Sequence, residues 1–175
     1  MKYPFSLVLF LVVSLIHAQE AQLILSPSID LVIKAEDNLA SGASLGSSGE
    51  ISLKLFLGPI GVDARLGLTS QPDIVIPPIS FGGYSAQKYS LGAAFQWLLC
   101  DPWQLSFSAL WGNTFGTYNN TVIQFYLPSF ALEPGLAYKK NHWLLGLSLP
   151  VETYFPRDID YGWTLGLKAN LGVYY

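Results

Sequence analysis

The last thirteen residues, Trp163 to Tyr175, constrain the fold more than any other stretch of the chain. Odd positions Trp163, Leu165, Leu167, Ala169, Leu171, Val173 and Tyr175 are all apolar, with an aromatic at each end. Even positions from Gly162 to Tyr174 are small or polar and include one charge, Lys168. An unbroken period of two is a β-strand with one apolar and one polar face. At about 3.3 Å per residue the stretch is roughly 40 Å long, and at a tilt of about 45° it rises roughly 30 Å, the thickness of a bilayer core. Leu167, central in the apolar series, is expected to face lipid near mid-bilayer.

The opposite end reads differently. Met1-Lys2-Tyr3-Pro4 leads into an apolar run from Phe5 to Ile16, followed by His17-Ala18-Gln19-Glu20. One basic residue, a short apolar core and a small residue at the cut are the parts of a secretory signal peptide. Residues 1–18 are therefore read as a cleaved leader and residues 19–175 as a single domain. The apolar run is shorter than the roughly 20 residues a membrane helix needs. No Cys follows it, which argues against a lipoprotein anchor. Hydrophobic residues make up 51% of the chain and charged residues only 12%, about half the usual charged share. High hydrophobicity without a helical span leaves a large soluble β-core or a membrane barrel, and the scarcity of charge favours lipid. Net charge is -3, and no basic patch points to nucleic acid.

The same alternation recurs along the chain. Residues 21–35 put Leu23, Leu25, Ile29 and Leu31 opposite Gln22, Ser26, Ser28, Asp30 and Lys34, with Ile24 and Val32 as exceptions. Residues 36–49 read as a Ser/Gly-rich loop. Residues 50–57 set Ile51, Leu53, Leu55 and Leu57 against Glu50, Ser52 and Lys54, and Gly58-Pro59-Ile60-Gly61 is a tight turn. Val62, Ala64, Leu66 and Leu68 then oppose Asp63 and Arg65, and residues 70–87 read as a long connection. Tyr89 to Trp97 and Trp103 to Trp111 are two further alternating segments around a short turn at residues 98–102. Residues 113–127 form another long connection into which the strands extend. Phe130, Leu132, Pro134, Leu136 and Tyr138 oppose Ser129 and Glu133, and the phase change near Pro128 calls for a bulge. After the polar turn Lys139-Lys140-Asn141-His142, the series Trp143, Leu145, Leu147, Leu149, Val151 opposes Gly146, Ser148 and Glu152. Residues 152–161 read as the last loop.

This makes about eight strands whose connections alternate long and short, beginning with a long one. Bacterial outer-membrane barrels have short periplasmic turns, longer outer loops and an even number of strands. The expected fold is all-β: a transmembrane antiparallel up-and-down β-barrel of about eight strands, with ten the alternative count. A soluble secreted barrel also alternates, but it puts its charges outside. Here the polar face is mostly Gly, Ser, Ala and Gln, which suits a crowded narrow interior. Aromatics on the apolar face gather at strand ends. Trp97, Trp103, Tyr138, Trp143 and Tyr175 lie beside short turns or the C-terminus, and Tyr89, Trp111 and Trp163 lie beside long loops. Two such belts are the interfacial girdles of a membrane barrel.

As a pattern over the whole mature chain, the sequence resembles small bacterial outer-membrane β-barrel proteins of the OmpX-, OmpA- and OmpW-like kind. Its most specific piece is the C-terminal strand ending in Tyr175, with Val173 and Leu171 at alternate positions before it. In the family such an end is read by the barrel insertion machinery of the outer membrane, so the resemblance implies that partner, outer-membrane lipid as surroundings, and an outer-membrane location. The family usually ends in Phe or Trp; Tyr175 keeps the aromatic.

Asp30, Lys34, Glu50, Lys54, Asp63, Arg65, Lys88, Glu133, Glu152 and Lys168 share the polar face, with mixed signs. In a narrow barrel they are expected to meet as ion pairs that plug the interior, because unpaired charges there are costly; the other reading is a polar conduit for solutes. His142 is the one mature histidine, expected in a periplasmic turn, the wrong end for acyl chemistry at the outer leaflet. One His and one Cys do not make a metal site, and Cys100 is read as an inert thiol. Catalytic residues, cofactors and metals are expected to be none. Residues 73–81 and 118–127 are unusually apolar connections, read as loops that pack on one another or extend the barrel wall, as an apolar entrance, or as an adhesive surface. The leading expectation is a non-enzymatic outer-membrane barrel with a structural or surface-interaction role, its outer loops offered to a surface ligand or partner. The alternatives are a narrow, porin-like channel for small or hydrophobic solutes and, lower, a lipid-modifying enzyme.

Overall fold

A computed structural model of the chain describes residues 18–35, 41–71, 74–76, 79–81, 83–118, 124–155 and 161–175. The leader expected at residues 1–18 lies almost wholly outside the described residues. The elements are β1 (Glu20–Ala35), β2 (Ser41–Leu57), β3 (Ile60–Gln71), β4 (Ile74–Ile76), β5 (Ile79–Phe81), β6 (Tyr84–Cys100), β7 (Trp103–Tyr118), β8 (Gln124–Lys140), β9 (Trp143–Ser148), β10 (Val151–Tyr154) and β11 (Tyr161–Tyr174). All pairings are antiparallel, each long strand pairs with its sequence neighbours, and β1 pairs with β11 to close the sheet. Strands β9 and β10 together form one stave between β8 and β11, so the closed barrel has eight staves, while β4 and β5 pair as a separate hairpin.

Register fixes the barrel's stagger. From Trp103 the paired row runs through Tyr138, Leu145, Leu171, Leu25, Ile51, Leu66 and Tyr89, and returns to β7 at Asn113, ten residues above its start. Eight staves with that stagger tilt by about 40° and enclose a backbone cylinder of roughly 8 Å radius. Such an interior is filled by side chains.

The short turns follow local chemistry. Gly58 takes φ 64° and is followed by Pro59, whose ring fixes negative φ, which is the pattern of a type II′ hairpin. Asn141 and His142 both have positive φ, 52° and 69°, the pattern of type I′. Pro150, which lacks a donor, separates β9 from β10, and the stave continues beyond it in unchanged register with Gly166 donating to the Pro150 carbonyl at 2.9 Å.

Several connections differ from the sequence reading. Strand β2 begins at Ser41 rather than near Glu50, because backbone pairing with β1 needs no apolar side chain and Gly/Ser residues give no periodic signal. The connection at residues 70–87 contains the β4–β5 hairpin, flanked by the extended ends of β3 and β6. The strand after the last short turn is split at Leu149-Pro150, and its outer part, Val151–Tyr154, occupies the start of the expected final loop. No bulge occurs near Pro128: the β7–β8 register is uninterrupted from Trp103↔Tyr138 to Thr117↔Gln124. Instead Leu127 keeps the inward side of the wall, paired with buried Thr114. The irregularity lies at the other rim, between Leu98 and Cys100.

Candidate functional site: the charged interior and the aromatic rims

The wall is inverted relative to a water-soluble protein. Outward Leu25, Ile51, Leu66, Leu147 and Leu167 are more than half exposed, while inward Glu50, Asp63, Arg65, Glu133 and Lys168 are buried. Alternation puts these charges on one face of each strand, and the register puts them at neighbouring levels: Lys54 pairs with Asp63, Glu50 with Gly67, and Gly67 with Lys88. Gly67 has to be small, since a Cβ there would stand 2.7 Å from Glu50 Cγ.

Arg65 is the hub. Its Nη2 lies 2.6 Å from Asp63 Oδ2, its Nη1 2.5 Å from Glu133 Oε2, and the same Nη1 3.3 Å from Glu50 Oε2. Lys168 Nζ bridges Glu50 and Glu133 at 2.5 and 2.9 Å. Lys54 sits 3.4 Å from Asp63 and donates to Ser108 at 3.2 Å, and Ser108 donates on to Asp63 at 2.8 Å. Lys88 reaches Glu152 at 2.6 Å and Glu50 at 3.5 Å. Hydroxyls of Ser148 and Tyr154 donate to Glu133 and Glu152 at 2.9 and 3.0 Å. Four cations thus face four carboxylates drawn from β2, β3, β6, β8, β10 and β11, each with an opposite charge in reach. Desolvated charges persist when so paired and hydrogen-bonded.

Either side of this network the interior narrows to a cavity of about 20 Å³. The upper one is bordered by Asp30, Lys88, Glu152 and Thr164. The lower one is bordered by Gln22, Phe56, Gln96 and Asn170. Each holds about one water molecule. Asp30 is buried and accepts from Ser28 at 2.8 Å; the Lys34 side chain lies outside the described residues. At the lower end Gln22 donates to Gln96 at 3.0 Å, and Lys139 pairs with Glu20. Lys139 read from sequence as part of the polar turn at residues 139–142. It belongs to β8, and its inward side was legible from parity with Glu133 and Ala137. Inward Phe56 and Leu144 also share the lumen with polar groups, because a narrow barrel needs bulk as well as charge at its ends.

The rims carry the aromatics. Trp97, Trp103, Trp143 and Tyr175 are exposed at the short-turn end, with Trp103 edge-on to Tyr138 at 5.3 Å. Tyr89, Trp111 and Trp163 are exposed toward the other end, where Tyr89 stacks on Phe115 at 5.4 Å and Trp111 on Phe155 at 5.7 Å. Trp97 to Tyr89 and Trp103 to Trp111 each span eight residues of a tilted strand, about 20 Å of height. Leu171 is exposed and Val173 half-buried on the outer wall of β11, and Tyr175 exchanges backbone hydrogen bonds with Ala21 at 3.0 Å in both directions. His142 is exposed in its turn, with Nδ1 3.2 Å from the Tyr174 carbonyl and its ring stacked on Tyr175. Cys100 is exposed at the same end. Among the described residues no group of His, Cys, Asp or Glu is set to hold a metal. Of the apolar connections, residues 74–76 and 79–81 form β4 and β5. Residues 119–123 lie outside the described residues.

No family model matches the sequence, and no curated protein matches it. Its fold does match solved structures. Neisserial surface protein A aligns at TM-score 0.67 and 10% identity, covering 86% of this chain and 96% of that one. OprG of Pseudomonas aeruginosa aligns at TM-score 0.57 and 9% identity, covering 91% and 97%. Ail, the attachment invasion locus protein of Yersinia pestis, aligns at TM-score 0.52 and 15% identity, covering 87% and 97%. The chain therefore has the fold of the small, eight-stranded outer-membrane β-barrel proteins.

Proposed function

We propose that the chain is an integral outer-membrane barrel, exported by a leader at residues 1–18, whose role is structural or lies in surface interaction rather than in catalysis or bulk solute passage. The observation that carries this reading is the interior: a balanced network of eight paired charges crosses the lumen, with single-water cavities on either side. A plug of this kind stiffens the wall and leaves the rims to do the work. The apolar outer wall supports outer-membrane lipid as the surroundings. The outward series Leu171, Val173, Tyr175 supports engagement of the barrel insertion machinery, and the longer connections at the opposite end would meet surface partners. The test is planar-bilayer conductance of the refolded chain. Silence is expected; stepwise conductance in the wild-type protein would overturn the plug and favour the narrow-channel reading.

A further inference from the structure

Outward polar side chains are not spread evenly around the wall. Lys140 and Gln19 stand exposed beside the short turns; at the long-loop end the described ones gather mainly on the sector made by β2, β3, β6 and β7. Ser47, Ser70, Ser85 and Thr117 form one paired row across these four strands, all exposed. Directly below lies the paired row Gly49, Leu68, Gln87 and Phe115. The two rows line a groove of about 730 Å³, large enough for a few sugar rings. Elsewhere around the upper rim the described outward residues are mostly aromatic or apolar, among them Tyr126, Phe155 and Trp163, with Thr153 a polar exception.

The level of this groove decides what can lie in it. Its lower row is one outward position above Tyr89 on β6 and two above Trp111 on β7, so it starts just beyond the upper aromatic belt. The belts stand about 20 Å apart, close to the height of the apolar band of a membrane barrel. The hydroxyl row therefore sits at headgroup level, continuous with an apolar wall that takes acyl chains below. None of the described lining residues is charged, so none of them would neutralise a phosphate or sulfate. Hydroxyls and the Gln87 amide offer donors and acceptors together, and Phe115, held between Tyr89 at 5.4 Å and Tyr126 at 4.8 Å, offers a fixed apolar face. That combination suits sugar rings, which present hydroxyls at their edges and C–H groups on their faces.

We propose that this sector docks the uncharged sugar headgroup of an outer-leaflet glycolipid, the acyl chains lying on the wall beneath. The proposal rests on the membrane reading above. The test is native mass spectrometry of the mature chain refolded into vesicles of phosphatidylcholine containing equal fractions of digalactosyl diacylglycerol and phosphatidylglycerol, with a heat-dependent gel shift as the folding control. Retention of the digalactosyl lipid at about ten times either competitor is expected, falling to parity in the quadruple variant S47V/S70V/S85V/T117V and falling at least several-fold in Phe115→Ala. The single variant Ser85→Val serves if the quadruple one does not fold. A barrel that shifts on the gel yet retains all three lipids equally, or prefers phosphatidylglycerol, overturns the docking proposal alone. Retention unchanged in the folded variants overturns it as well. A chain that never enters the vesicles overturns the membrane reading and this one with it.

Discussion

Arg65 shows how much one side chain can decide inside a narrow barrel. Its guanidinium meets Asp63 on its own strand, Glu50 on β2 and Glu133 on β8, and Asp63 is 0% exposed. Removing it strands buried carboxylates, and breaking a buried pair on one side costs about 3–5 kcal/mol. Arg65→Ala should lose that much in urea unfolding from lipid vesicles, and Arg65→Lys an intermediate amount, since a lysine keeps the charge but not the planar fork. Equal stability of all three would mean the network is not holding the wall. Gly92 makes the same point by its lack of a side chain. A Cβ there would lie 1.9 Å from the Ala109 carbonyl oxygen, a backbone atom that cannot swing aside. Gly92→Ala should therefore destabilise by about 1–3 kcal/mol, as overpacking does, measured by the same unfolding midpoint. That eight charges share the lumen was legible from parity along single strands. That Arg65 rather than Lys54 is the hub was not, because it depends on register between strands far apart in sequence.

At the scale of an element, stagger changes which residues share a depth. Leu167 is centred in the apolar series of its strand, and sequence alone puts it at mid-bilayer. In the barrel it stands eight residues above Tyr175, about 20 Å, level with the upper aromatic belt. Leu147, four residues above Trp143 on β9, rises only about 10 Å and lies midway between the belts. Both are more than half exposed on the outer wall. Leu147→Arg should therefore cost about 2–4 kcal/mol and Leu167→Arg about 0–1 kcal/mol, following the depth dependence of arginine on a barrel's lipid face. Titration of the two variants with urea in vesicles separates them. Equal costs would show that the belts do not mark the bilayer edges. Element boundaries were the least legible part of the sequence. Strand β2 is longer than its apolar pattern because Gly and Ser extend a ladder silently, and Leu127 changes faces of the hydrophobic pattern without any bulge.

The whole molecule depends on one seam. Gln22 pairs with Tyr174 and Ala35 with Tyr161, joining the two ends of the chain into a closed wall. Pairing so distant in sequence carries a large loop-closure cost before any contact rewards it, which slows folding. Until it forms, β1 and β11 are open edges, and open edges are not tolerated in lipid. A chain lacking Trp163–Tyr175 should give β-rich material in detergent but no heat-modifiable compact band on a gel, whereas the full chain gives both. A compact, heat-modifiable truncated chain would mean that β10 or β9 can close on β1 without the last stave.

Amino-acid order by itself determined the class of fold, the inward and outward faces and the aromatic ends, because each is written in a period of two along one strand; it left eight or ten staves open, and closure of the sheet decided for eight. The positions of the short turns were legible too, from Gly58-Pro59 and from the polar turn that holds Asn141-His142. Tertiary structure alone decided the stagger of ten residues, and with it the tilt, the radius, the depth of Leu147 and Leu167, and which carboxylates Arg65 reaches. It also decided that Ser47, Ser70, Ser85 and Thr117, unremarkable in four separate stretches, form one paired row across four neighbouring strands. The physical reason is the same for all of these. They are properties of pairing between strands, and no single strand's pattern contains the offset at which its neighbour binds.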